Sequence, residues 1–271
     1  MSDIFRENGI ERLSSSSLTS ARRNLFKWCL TYGSRHLRDE PNLPMICGSV
    51  AEIAIEFGIK NPTATIEECN TKAREEYNRR TTLSGFTEEK RLAKMDDLCG
   101  YGTASRSYPG MVSNGVKALR PYGVPSETQV KIETTLAGIP IPIIGFKDFS
   151  YDEHGLDIDL KTTTRMPKEM SPDHQLQGAI YWRASNNRSQ QFCYTTKSES
   201  KVLELDPYAA EMAIKEATAI AHTLKNLLEK FKTVDELTNY IIPDWSNFSW
   251  STHSRAVAMN VWEENLKKSL A

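Results

Sequence analysis

Between residues 127 and 136 apolar and polar residues alternate. Val130, Ile132, Thr134 and Leu136 interleave with Lys131, Glu133 and Thr135, the two-residue period of a half-buried strand. A second strand is predicted at about 143–151, where prolines 140 and 142 impose a late start or an edge position. The turn sequence DEHG then leads into a third strand over 156–163, and QQFCYTT and KVLELD read as two more. Helical spacing governs the rest. LPMICGSVAEIAIEFGI predicts a buried helix interrupted by one acid, Glu52, and SPDHQLQGAIYWRAS a helix opened by Ser171 and Pro172. Residues 64–80 and 88–98 read as amphipathic helices, and further helices are expected at 207–232 and from about 252. The serine run LSSSSLTS supplies an N-cap for a helix carrying Leu25, Phe26, Cys29 and Leu30. Glycines and prolines crowd 99–126, which predicts a long loop or hinge with one helical turn at 116–119, the best internal boundary.

Helix, three-stranded meander, helix and strand, in that order, point to one elaborated α/β domain over 1–271. Its expected parts are a helical segment at about 13–120, a sheet core at 127–205 and closing helices at 207–271. With 39% apolar and 25% charged residues the composition is that of a globular chain. The formal net charge of −1 provides no long-range field toward nucleic acid, so such a partner must be held by a local patch. No apolar run approaches the roughly 18 residues of a membrane span, and MSDIFRENGI lacks the basic-then-apolar order of a secretion signal. A cytoplasmic protein with no membrane partner is expected. The cysteines at 29, 47, 69, 99 and 193 form no C-x-x-C pair and read as buried free thiols.

Alternation places Asp159 and Lys161 on one face of the third strand, and a hairpin brings Asp148 beside them. Two carboxylates in a half-buried sheet repel one another and are costly to desolvate unless something positive lies between them. A hard divalent cation suits that role, with Asp148, Asp159, the Leu160 carbonyl and Glu52 as oxygen ligands and Lys161 to orient water or meet phosphate charge. Taken alone, D-x-K reads more simply as a solvated face. The acid in an apolar helix, the second acid on the paired strand and the helix that follows weigh against that reading. On that helix His174, Gln177 and Tyr181 share one face. Arg22, Arg23, Lys27, Arg35 and Arg38 form the densest basic group, equally readable as a solvated face or as phosphate contacts. Trp28 and Trp182 suit the core better than base stacking.

Four short segments together resemble the PD-(D/E)xK nuclease superfamily, in its RecB-like branch with phage recombination exonucleases and CRISPR-adaptation nucleases. They are GSVAE (48–52), GFKD (145–148), DLK (159–161) and QGAIY (177–181), in the family's order, and LSSSSLTSARR resembles the branch's serine-rich opening. The resemblance spans about 13–205. It implies a restriction-endonuclease-like αβββαβ core, a mixed sheet flanked by helices, with helical elaborations at both ends. It further implies Mg²⁺, or Mn²⁺ as a substitute, held by Glu52, Asp148, Asp159 and the Leu160 carbonyl, with Lys161 assisting the nucleophile. Gln177 and Tyr181 would support substrate; His174, Arg22, Arg23 and Ser16 are, apart from the resemblance, the further candidate DNA contacts. Glu52 stands where many relatives have histidine, which leaves open whether one or two ions bind. Relatives that carry an iron–sulfur cluster use a late cysteine trio; only Cys193 lies beyond Cys99 here, so no iron–sulfur cluster is expected.

The implied activity is a DNA exonuclease acting on linear ends in phage or bacterial recombination or repair. The alternatives are a structure-specific or restriction-type endonuclease and a catalytically retired nucleic-acid-binding module. The expected partner is DNA, with a single-strand annealing or single-strand-binding protein as companion and homo-oligomerisation left open. G-x-x-x-x-G-K-[ST] is absent, so no helicase function is expected within this sequence.

Overall fold

A computed structural model describes residues 3–37, 43–85 and 101–270 of the chain. The helix expected at 88–98, with Arg38 and Cys99, lies outside the described residues. The described chain is an α/β structure whose five-stranded mixed sheet is flanked by helices on both faces.

Three short elements open it: α1 (Ile4–Glu7), α2 (Ser15–Arg23) and α3 (Leu25–Trp28), which runs into a π-helical turn at Cys29–Gly33. The serine run is itself helical from Ser15, with Ser14 as N-cap accepting from Ser17 N. Asn24 then breaks the helix and caps α3 through Lys27 N. The buried helix α4 (Leu43–Lys60) follows, then α5 (Ile66–Leu83). Thr65 and Glu68 form a reciprocal capping box at the start of α5, which is why the helix begins there.

The segment read as a hinge is instead α6 (Tyr101–Leu119), with Pro109 inside it. Met111, Val112, Val116 and Leu119 bury one stripe of this helix with α4 and α5. Gly115 permits the approach, because a Cβ there would stand 2.4 Å from Ile55 Cδ1. Tertiary burial outweighs the glycine and proline penalties, so this stretch joins the core instead of marking a boundary.

The sheet comprises β1 (Glu127–Thr134), β2 (Ile143–Tyr151), β3 (Leu156–Thr162), β4 (Ser189–Thr195) and β5 (Ser200–Glu204), in spatial order β1-β2-β3-β4-β5. All pairings are antiparallel except β3 with β4, which are parallel. That parallel pair requires a crossover, and α7 (Pro172–Ala184) provides it, with Ser171 as N-cap and Pro172 in the first turn. Then come α8 (Pro207–Phe231), α9 (Val234–Tyr240) and α10 (Thr252–Leu270); α1 and α9 have no counterpart in the sequence reading.

Each face of the sheet has its own core. Phe149, Tyr151, Leu156, Ile158 and Leu160 pack with α4, α5 and α6, whereas Ile132, Phe192 and Tyr194 pack with α7 and α8. Leu160 thus points away from Asp159 and Lys161, as strand alternation requires. No helix among the described residues is long and apolar enough to cross a membrane.

Candidate metal centre

The β2–β3 ladder pairs Phe149 with Ile158, Ser150 with Asp157 and Tyr151 with Leu156. Beyond Phe149 a side chain continues the link: Asp148 Oδ2 accepts the Leu160 backbone N–H at 2.8 Å. This seats the Asp148 carboxylate between the backbone positions of Asp159 and Lys161. Asp159 is 5% exposed, and its Oδ2 lies 2.5 Å from Lys161 Nζ. The Lys161 ammonium is thus the partner that neutralises this oxygen. Asp159 Oδ1 accepts from Gln177 Nε2 at 3.0 Å. The Gln177 amide also donates to the Tyr181 hydroxyl at 2.9 Å, and Tyr181 donates to the Phe146 carbonyl at 2.9 Å. Gly145 makes room for that ring, because a Cβ there would stand 2.5 Å from Tyr181 Cε1.

Glu52 reaches the same group of residues from α4. Gln129 on β1 donates from one Nε2 to Glu52 Oε1 at 2.7 Å and to Asp148 Oδ1 at 3.2 Å. Gly48, one turn earlier on α4, lets the helix approach β3, since a Cβ there would meet Thr162 Oγ1 at 2.8 Å. The sequence motifs therefore converge: Glu52, Asp148, Asp159, Lys161, Gln177 and Tyr181 are linked by hydrogen bonds and ion pairing.

Electrostatics follow from three acids and one ammonium in a shielded place. Burial pushes the Asp148 carboxyl well above the usual range, and the charges of Asp159 and Glu52 push it further. Glu52 is raised by burial and by Asp159. Burial also pushes Asp159 up, against the pull of Lys161. For Lys161 burial opposes the charge, yet the neighbouring carboxylates, Asp159 foremost, hold its ammonium above the ordinary value. His174 is depressed to about 4 by burial and by Lys161, and its Nδ1 is hydrogen-bonded to the Tyr194 hydroxyl at 2.7 Å. The His174 ring stacks on Phe192, over which Lys161 Nζ also lies at 5.7 Å.

Among the described residues no three His, Cys, Asp or Glu side chains are gathered as a ready-made cation cage. Gln129 stands between Glu52 and Asp148, and Lys161 stands against Asp159. The donor set is nevertheless all oxygen, which fits a hard divalent ion better than zinc or an iron–sulfur cluster.

Two cavities open beside these groups. One of about 320 Å³ is lined by Ser16, Arg23, Lys27, His174 and Gln177 among others. The other, of about 630 Å³, runs from the serine run to Gly145, Gln177 and Tyr181. Arg22 and Arg23 both pair with Asp173 in the first turn of α7, and Arg22 also reaches Glu216 at 2.6 Å. These cations dock α2 onto α7 and α8, so they are only partly available to a ligand. Arg35 donates to the Gly9 carbonyl at 3.0 Å. Trp28 is fully buried, with its indole N–H on Ser17, and Trp182 packs at the edge of the core.

Gln129 and a second polar network escaped the sequence reading. In that network Asp157, 1% exposed, accepts from Lys147, Ser150 and Gln190. Asp157 was legible as an acid on the face of Asp159, but nothing local distinguishes Gln129 from a solvated strand residue.

No protein-family model matches the chain, and no curated protein does. A solved structure described as the crystal structure of SSO0001 is similar at 16% identity over 74% of this chain and 85% of that one. The TM-score is 0.31, too low to establish a common fold.

Proposed function

We propose that the chain is a divalent-metal-dependent deoxyribonuclease with a restriction-endonuclease-like core, acting as an exonuclease on linear DNA. The carrying observation is the convergence of residues 52, 148, 159, 161, 177 and 181, distant in sequence, where the β2–β3 ladder ends and Asp148 grips the Leu160 N–H. The αβββαβ order and the parallel β3–β4 pair crossed over by α7 support the proposed core. The preference for ends rests on the branch that the motifs resemble.

In this reading Glu52, Asp148 and Asp159 hold Mg²⁺, with the Leu160 carbonyl as a further oxygen. When bound, the ion supplies Lewis acidity toward a phosphoryl oxygen. The chain's own groups do the rest. Lys161 remains an ammonium because carboxylates surround it, and so presents positive charge to a phosphate. Gln177 fixes Asp159 and is itself fixed by Tyr181, which is anchored on the β2 backbone. His174, held neutral, leaves Lys161 as the cation nearest Asp159. The serine-lined cavities beside Gln177 offer hydroxyl donors to a sugar–phosphate backbone without reading bases.

The test is degradation of end-labelled single- and double-stranded linear DNA and of a closed circle, with Mg²⁺ or with chelator. Linear DNA should be lost only with metal, and the circle should survive; a nicked circle would replace the exonuclease reading with an endonuclease. Asp159→Ala and Lys161→Ala should each abolish cleavage while circular dichroism reports a folded chain. Retained cleavage by both would refute the assignment.

A further inference from the structure

Gln129 is an exposed residue in the left-handed backbone region (φ +53) within β1. The ladder pairs Thr128 with Phe149 and Val130 with Lys147, so Gln129 and Asp148 are the intervening cross-strand neighbours. A non-glycine residue held at positive φ in a strand is strained, and such strain persists where the surroundings over-determine the conformation. Here the surroundings are two acids from different elements. One amide nitrogen gives a hydrogen to each, 2.7 Å to Glu52 and 3.2 Å to Asp148.

The second oxygen of Asp148 is already taken by the Leu160 N–H. The oxygen bonded to Gln129 is therefore the one open to a further partner. Two oxygens that share the hydrogens of one NH₂ group lie on either side of it, spaced more widely than neighbouring oxygens around a small ion with bonds of about 2.1 Å. The same two oxygens cannot keep the amide between them and close on one cation. Because the Gln129 side chain faces solvent, its departure disturbs no core packing.

The geometry points to Gln129 as a displaceable placeholder: its amide bridges Glu52 and Asp148 and must swing out for a divalent cation to join them. This rests on the proposed metal site and adds to it a positioning residue that opposes loading. Removing the amide leaves the acids facing each other without a bridge, so the chain should bind the cation more tightly. The lost hydrogen bonds are to two acids, the one to Glu52 exposed to water and the one to Asp148 long and partly buried, which sets the expected gain at about tenfold in Kd.

The experiment is Mn²⁺ binding to the full chain, followed by calorimetry and by electron paramagnetic resonance of free Mn²⁺. Wild type is compared with Gln129→Ala and Gln129→Gly; the glycine variant also relieves the positive φ and guards against misfolding of the alanine form. About tenfold tighter Mn²⁺ binding in both variants is the expected result. Equal or weaker binding in both, with wild type binding normally, would overturn the placeholder and leave the metal site standing. No Mn²⁺ binding by wild type or variants would overturn both.

Discussion

Beneath the acids, Asp157 holds a buried network whose disruption should be measurable whatever the protein's chemistry. Its carboxylate accepts from Lys147 Nζ at 2.9 Å, Ser150 Oγ at 2.8 Å and Gln190 Nε2 at 2.8 Å, and Arg188 Nε lies 3.4 Å away. The side chains of Lys147 and Asp157 are 9% and 2% exposed. In Asp157→Ala the buried ammonium keeps only the Ser185 hydroxyl, at 3.2 Å, and Ser150 and Gln190 lose an acceptor. Breaking one side of a buried ion pair costs about 3–5 kcal/mol, and the stranded donors add to that unless they rotate to other partners. A loss of about 4 kcal/mol is expected, a fall in Tm of about 10 °C for a chain of this size. Replacing both partners by apolar residues, Lys147→Met with Asp157→Leu, should recover most of the loss, because no uncompensated charge remains buried. Urea unfolding followed by fluorescence and circular dichroism, with coincident transitions, measures all three proteins. An Asp157→Ala variant within 1 kcal/mol of wild type would show that this pair is not shielded as its burial implies.

Lys161→Met should lower metal-free stability by about 3 kcal/mol, since it leaves Asp159 buried beside two other acids, whereas Asp159→Asn should be much milder. Equal melting temperatures for the two variants would argue against the pairing. Gly145→Ala should cost about 1–3 kcal/mol and displace Tyr181, seen as a changed tyrosine environment in near-ultraviolet dichroism, because its Cβ would press on the ring at 2.5 Å. His174 provides a pH signature. Its folded pKa of about 4 lies below the unfolded value near 6.5, so the unfolded chain binds the extra proton between them. Its share of stability is undiminished above pH 6.5 and is eroded as pH falls toward 4. After discounting for solvent screening, His174→Gln should flatten this decline by about 1 kcal/mol between pH 7.5 and pH 5. Parallel stability profiles would refute it.

Local pattern determined a good deal of this molecule. The two-residue period placed β1, prolines 140 and 142 set the late start of β2 at Ile143, the DEHG turn led into β3, and Ser171 with Pro172 marked the start of α7. The same period put Asp159 and Lys161 on one face with Leu160 on the other, because side-chain direction along a strand depends only on position in the chain. Tertiary structure decided the remainder. The run at 101–119 is helical because Val112, Val116 and Leu119 find α4 and α5 to bury against, a gain that glycine and proline content cannot reveal. Gln129, with its φ of +53 and its amide shared between Glu52 and Asp148, owes its place to residues 77 and 19 positions away. The Lys147–Asp157 pair likewise exists only once β2 and β3 are joined and closed off from water. Periodicity and caps are set by near neighbours, whereas desolvation and shared hydrogen bonds depend on which distant segments the folded chain brings together.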